Sequence, residues 1–294
     1  MPVAAVNGLN IAYEVDGDLG NVPVLLLHGL GRQLIEWDQA LVDRITAAGY
    51  LVIRMDNRDV GWSTHFEEKL ALGEIRRALE RGDEVVAPYL LSDMAADSVG
   101  LLDHLGLGAV HVVGVSMGGM IGQTLALDAP GRVLSLTSIM ASTGNWEAGT
   151  PSAAGTRALF HAPPPDDAGA IEATLETREL LATPGTFDAA AERAMITSAI
   201  NRSFDPAGIG RQLAAIWASG DRTARLRSLD VPTLVIHGTA DHLVGISGGE
   251  ATAEAVPGAR LVAIEGMGHD LPQKHWEEVL GAIIAHFESA HRGR

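Results

Sequence analysis

Six near-continuous apolar runs punctuate the chain: Val22–Leu27, Tyr50–Met55, Val110–Val115, Val133–Met140, Pro232–His237 and Arg260–Ile264. Each is five to eight residues long and most are rich in Val, Ile and Leu, the pattern of strands buried on both faces. Between them the apolar positions recur at helical spacing. Helices are expected at Leu34–Ala48 with Gly49 as a stop, Ser92–Leu105 with Ser92 as N-cap, Met117–Ala129, Ser247–Ala255 and Gln273–His286. Residues 3–15 alternate weakly around Asn7-Gly8 and predict two short strands at a sheet edge. Residues 64–90 are charged and irregular, and no element is assigned there. From about 142 to 220 the chain turns rich in Ala, Thr, Pro and Gly, includes Pro163-Pro164-Pro165, and offers helical stretches without a strand. Strand–helix alternation on both sides of that segment predicts an α/β fold. Its mostly parallel central sheet is flanked by helices and carries a helical insertion.

In such a sheet ligands bind beyond the carboxyl ends of the strands. The run Val110–Val115 ends at Gly114-Val115-Ser116-Met117-Gly118, a G-x-S-x-G nucleophile elbow. A serine on so sharp a strand-to-helix turn needs unusual backbone angles, and glycines two positions to either side remove side chains that would crowd it. The Met117 N–H is left at a helix N-terminus, where negative charge is welcome. The run Pro232–His237 leads into His237-Gly238-Thr239-Ala240-Asp241-His242, and Arg260–Ile264 into Glu265-Gly266-Met267-Gly268-His269-Asp270. Serine, acid and histidine thus follow one another in the order of the α/β-hydrolase fold. A free serine hydroxyl is a weak nucleophile. It needs a neutral imidazole to take its proton and an acid to fix that imidazole's tautomer. His269 is the candidate base and Asp241 the candidate acid. His242 reads as a loop-surface residue, His237 as buried structure, and Asp270 and Glu265 as loop charges. A developing oxyanion needs two preorganised donors. Met117 supplies one N–H, and Leu30 in His28-Gly29-Leu30-Gly31 is chosen for the second, with the His28 side chain fixing the loop. Gly29, Trp146, Trp217 and Leu243 are the candidates for a substrate pocket, although both tryptophans suit packing inside the insertion as well.

Composition narrows the partners. With 21 basic and 37 acidic residues the formal charge is −16, which repels phosphate backbones and anionic lipid. Neither nucleic acid nor membrane is expected as partner, and association into a homo-oligomer is left open. The absence of cysteine excludes disulfides and thiolate chemistry. The start, MPVAAVNGLNIAYEVDG, lacks a basic stretch followed by an apolar core, so a cytoplasmic setting is the expectation. Neither H-E-x-x-H, paired C-x-x-C, P-loop nor complete dinucleotide fingerprint occurs, so no metal and no organic cofactor is expected.

The loops HGLG, DNRDVGWS, GVSMGG, HGTAD and GMGHD resemble those of the α/β-hydrolase superfamily along nearly the whole chain outside the insertion. DNRDVGWST together with GVSMGG is similar to the aclacinomycin methylesterase-like group. The resemblance implies Ser116, Asp241 and His269 as triad. It implies residues 142–220 as a helical cap on a core of 1–141 and 221–294, and Asp56 and Arg58 as a polar pair bracing their loop. The expected activity is hydrolysis of a small-molecule carboxylic ester through an acyl-enzyme on Ser116. Cofactor-free perhydrolase or haloperoxidase, lactonase and carbon–carbon bond hydrolase chemistry use the same triad and remain open, as does a ligand receptor on the same fold.

Overall fold

The computed structural model describes residues 1–164 and 166–292. Pro165 of the proline triplet and the last two residues of the expected core segment lie outside the described residues. Eight strands form one sheet: β1 (Val3–Val6), β2 (Leu9–Asp16), β3 (Val22–Leu27), β4 (Tyr50–Met55), β5 (Val110–Val115), β6 (Val133–Ile139), β7 (Thr233–Gly238) and β8 (Arg260–Ile264). Their spatial order is β1-β2-β4-β3-β5-β6-β7-β8. β1, β2 and β4 pair antiparallel, and every pairing from β4 through β3 to β8 is parallel.

Strand alternation sends neighbouring residues to opposite faces. On one face Leu25, Leu27, Ile53 and Met55 pack with α2 (Leu72–Arg81), α3 (Leu91–His104) and α4 (Met117–Asp128). On the other, Val24, Leu26 and Val52 pack with α1 (Gln39–Ala47) and with the helix that ends the described chain. Both faces are therefore dry; the central strands are mostly apolar, and their polar residues, among them Arg54, His111, Ser135, Thr137 and Ser138, are buried. Between β6 and β7 lie α5 (Ala153–Leu159), α6 (Asp167–Leu181), α7 (Ala189–Arg202), α8 (Pro206–Ala218) and the single turn α9 (Thr223–Leu226). α10 (Ser247–Ala255) separates β7 from β8, and α11 (Trp276–Arg292) follows β8. No helix among the described residues is long and apolar enough to cross a membrane.

Four elements depart from the sequence reading; the helix expected over Gln273–His286 opens as a 3₁₀ turn, Gln273–His275, and continues as α11 only from Trp276, to Arg292. The helix expected to begin at Leu34 is a short 3₁₀ turn, Leu34–Glu36, and α1 begins only after Asp38, whose side chain accepts from the Ala40 N–H at 2.9 Å. α3 begins one residue before Ser92, and it is Asp93 that accepts the Leu90 N–H, at 2.7 Å. The charged stretch left unassigned contains α2, whose buried Leu72 and Ile75 face the core while its arginines and glutamates face water.

Candidate active site

Ser116 is the residue between β5 and α4. Its backbone sits at φ 56°, ψ −120°, a region L-residues rarely occupy. Its N–H donates to Ile139 O on β6 at 2.9 Å, and its own carbonyl accepts from Gly119 N at 2.9 Å, which starts the helix. A Cβ on Gly114 would lie 2.1 Å from Gly118 O, and one on Gly118 would lie 2.0 Å from Leu27 O. Each glycine is required by backbone approach rather than by flexibility. The turn leaves the serine side chain partly accessible above buried β5.

His269, in the loop after β8, reaches back over this turn. Its Nε2 lies 2.9 Å from Ser116 Oγ and its Nδ1 2.6 Å from Asp241 Oδ2. A carboxylate can only accept, so Nδ1 carries the proton and Nε2 is free to accept the serine hydroxyl. Asp241 follows β7. Its Oδ1 accepts the Leu243 and Val244 N–H groups at 2.8 and 2.9 Å. Burial opposes its ionisation, but the adjacent His269 and the nearby His237 outweigh it and hold the carboxyl well below the usual range. His237 is fully buried. Its Nε2–H donates to Val244 O at 2.7 Å and lies 3.4 Å from Asp241 Oδ2. His242 and Glu265 are exposed.

The Met117 N–H opens α4. Among the described residues, neither it nor the Leu30 N–H donates to any acceptor. Gly29 lies against the nucleophile, for a Cβ there would come within 3.2 Å of Ser116 Cβ. His28 is neutral: burial, then Arg32, lower its pKa to about 3, and its Nδ1 accepts the Gly29 N–H at 2.9 Å. Trp146 and Trp217 stack on one another with centroids 3.4 Å apart, and Trp146 remains 44% exposed. Among the described residues no hydrogen bond or ring contact ties either indole to Ser116, Asp241 or His269. Leu243 meets the site through its N–H on Asp241.

Some residues behave otherwise than the sequence suggested. Asp56 and Arg58 do not pair with each other. Asp56 accepts from Leu34 N, Trp62 N and Arg202 at 2.8, 3.0 and 2.6 Å. Arg58 makes a two-pronged pair with Asp97 of α3 at 2.7 and 2.8 Å. Asp270 is no bland loop charge: Thr183 donates to it through both N–H and hydroxyl, at 3.0 and 2.5 Å, and that hydroxyl accepts Gly268 N at 2.8 Å. Thr183 and the buried Gln212 went unnoticed in the sequence. Arg211-Gln212 inside the apolar run of α8 is the signal that could have marked the second, since a polar pair on a buried helix face needs partners.

One group among the described residues has metal-like spacing: Asp59, His65 and Asp205. Its charge is already met. Arg211 lies 2.8 Å from Asp59 and 2.5 Å from Asp205, and Tyr89 donates to Asp59 at 2.5 Å. A divalent cation would have to displace a buried guanidinium.

The pattern that describes the α/β hydrolase fold matches residues 22–272. Rhodomycin D methylesterase DnrP of Streptomyces peucetius is 32% identical over 93% of both chains. Among solved structures, a meta-cleavage product hydrolase from Pseudomonas fluorescens IP01 superposes with TM-score 0.79 at 19% identity, over 99% of this chain and 98% of that one. A thermophilic esterase from Thermogutta terrifontis does so with TM-score 0.74 at 24% identity, over 98% and 97%. At those identities the two structures speak to the fold alone.

Proposed function

Because the chain belongs to the α/β-hydrolase family, we propose on that premise that it hydrolyses carboxylic esters, methyl esters foremost, with Ser116, His269 and Asp241 as its triad. Ser116 Oγ attacks the ester carbonyl while His269 Nε2 takes the hydroxyl proton. The carbonyl oxygen, now negative, is met by the N–H groups of Met117 and Leu30. His269 then gives its proton to the departing alkoxide, which leaves as the alcohol. Water, deprotonated by the same nitrogen, attacks the acyl-enzyme and releases the acid and free Ser116. Asp241 keeps the proton on Nδ1 throughout and stabilises the imidazolium. Gly29 and Leu243 border the reacting carbon in this reading, and Trp146 and Trp217, on residues 142–220 as a cap, face the rest of the substrate. A small-molecule ester is the partner, with neither nucleic acid nor membrane, in keeping with the formal charge of −16. The cytoplasm is taken as the setting.

The observation that carries this reading is the unbroken hydrogen-bonded line Ser116–His269–Asp241, at 2.9 and 2.6 Å. Preference for methyl esters rests on the likeness to a methylesterase over 93% of the chain. The test is a steady-state panel: one aromatic carboxylic acid as methyl, ethyl and butyl ester, together with an enol lactone and a vinylogous diketone. The methyl ester should turn over fastest. Ser116→Ala should lose on the order of 10⁴ or more in kcat, because nucleophile and base act as a unit. A fluorophosphonate should label Ser116 alone. Labelling elsewhere, an active alanine variant, or a diketone as the better substrate would overturn the assignment.

A further inference from the structure

Gln212 belongs to α8, yet it bonds to a loop 181 positions earlier in the chain. Its side chain is fully buried. Oε1 accepts the Gly31 N–H at 2.8 Å and Nε2 donates to Arg58 O at 2.7 Å. A backbone N–H can only donate and a backbone carbonyl only accept, so the amide has one workable orientation. One helical turn earlier, Ile209 occupies the space where Gly31 would carry a side chain: a Cβ there would lie 3.1 Å from Ile209 Cγ1. Gly31 itself sits at φ +69°, which a bulkier residue would resist. The turn Gly29–Arg32 is closed by Arg32 N donating to Gly29 O at 3.2 Å. The loop is thus held between two contacts: Gly29 lies against Ser116 on one side, and Gly31 is gripped by α8 on the other. Leu30 is the residue between.

We propose that Gln212 is a positioning residue for the reaction, fixing the loop so that the Leu30 N–H meets the oxyanion. The proposal rests on reading Leu30 as an oxyanion donor. Such a donor works only at about 2.7–3.1 Å from the developing charge, and only if it is aimed before the charge forms. A backbone N–H has no rotamer of its own to aim it. Its direction is set by the peptide units on either side, and Gln212 takes the N–H of the next one. The group that aims the donor therefore comes from the segment between β6 and β7, not from the strand that carries the loop.

The test compares Gln212→Met, which keeps length but offers neither donor nor acceptor, with Gln212→Glu, whose carboxyl, kept neutral by full burial against the Arg58 carbonyl, accepts from Gly31 N–H and donates its O–H to Arg58 O. Substrate is p-nitrophenyl acetate. The probe of the oxyanion is an alkyl trifluoromethyl ketone, whose carbonyl carbon bonds to Ser116 Oγ and whose oxygen becomes the negative atom. Gln212→Met should lose about 10- to 100-fold in kcat, as for a displaced donor, with KM within about threefold. The ketone should weaken by a similar factor, and Gln212→Glu should recover most of both. If Gln212→Met does not fold, Gln212→Asn, one methylene too short to span Gly31 and Arg58, replaces it with the same expectations. A folded variant with parental kcat and ketone affinity overturns the proposal. So does a loss of kcat that leaves ketone affinity unchanged. Leu30→Pro separates the two levels, since it deletes the N–H itself. If it binds the ketone as the parent does, the Leu30 reading fails and takes the proposal with it. If it weakens the ketone while Gln212→Met does not, only the role of Gln212 fails.

Discussion

Asp241 shows how much one carboxylate can be asked to do. Two backbone N–H groups fix Oδ1, and Oδ2 faces His269 at 2.6 Å and His237 at 3.4 Å. Asp241→Asn keeps the shape, and its remaining oxygen can still accept from Leu243 and Val244. The new NH₂ then faces His269 Nδ1 and requires that nitrogen to accept. The imidazole proton moves to Nε2, where it meets Ser116 and cannot take the hydroxyl proton. The expected loss is roughly 10⁴ in kcat, the cost of the same change in the serine proteases. Fluorophosphonate labelling of Ser116 should slow in parallel in a variant whose far-UV circular dichroism is that of the parent. An asparagine variant at parental rate would place the acid elsewhere. The depressed pKa also works on folding. A carboxyl titrating lower in the folded than in the unfolded chain stabilises the fold above about pH 4, and that contribution is lost on acidification.

The elbow offers the sharpest test at the scale of an element, because α4 carries glycines of two kinds. A Cβ on Gly118 would meet the backbone of β3 at 2.0 Å, and nothing there can yield. One on Gly122 would meet Leu136 Cδ1 at 2.9 Å, the far end of a side chain that can turn away. Gly118→Ala should therefore cost at least about 2 kcal/mol and displace Ser116. Gly122→Ala gains up to about 1 kcal/mol of helix propensity against a small repacking cost, and should stay within about 1 kcal/mol of the parent. Urea unfolding of both, with Ser116 labelling as a second readout, decides it; equal losses would refute the distinction. This part of the chain was legible in advance because strand, turn and helix each leave a local pattern, and the serine's glycine frame is local too. The start of α1 is hidden in the sequence because Leu34, Trp37 and Leu41 keep apolar spacing across a break that only Asp38 marks. α2 is hidden in the sequence because its charge content masks two buried positions. Asp56 and Arg58 are legible as loop-bracing residues but their partners are not, since Arg202 lies 146 residues from one and Asp97 39 from the other, and no local pattern reports a partner at that distance.

At the scale of the whole molecule, the segment between β6 and β7 is tied to the loops that follow β3, β7 and β8. Ser152 N donates to His242 O at 2.9 Å beside the acid, and His269 N donates to Leu181 O at 2.8 Å. Gln33 Nε2 holds the end of α7 through Ala199 O and Ser203 O at 2.7 and 2.9 Å. The strongest tie is electrostatic. Glu36, just beyond the oxyanion loop, is almost fully buried between Arg32, at 2.9 Å, and Arg178 of α6, and Arg178 also reaches Glu192 of α7 at 2.8 Å. Burial alone would raise the Glu36 carboxyl, but Arg178, Arg32 and the Gln33 N–H hold it down at about 2. A carboxyl lowered on folding adds stability that is complete above its unfolded pKa and lost as pH falls through the folded one. For Glu36 that window runs from about pH 4.5 down to about 2, and the contribution is on the order of 3 kcal/mol. Glu36→Gln should be less stable than the parent at pH 7, because Arg178 is left buried beside a neutral group. The gap between the two should narrow as pH is lowered from 5 toward 2, as the parent loses what the variant never had. Urea unfolding of both proteins at half-unit steps measures it. A gap that stays constant across that window would mean that Glu36 is not the charge that anchors α6 and α7 to the sheet.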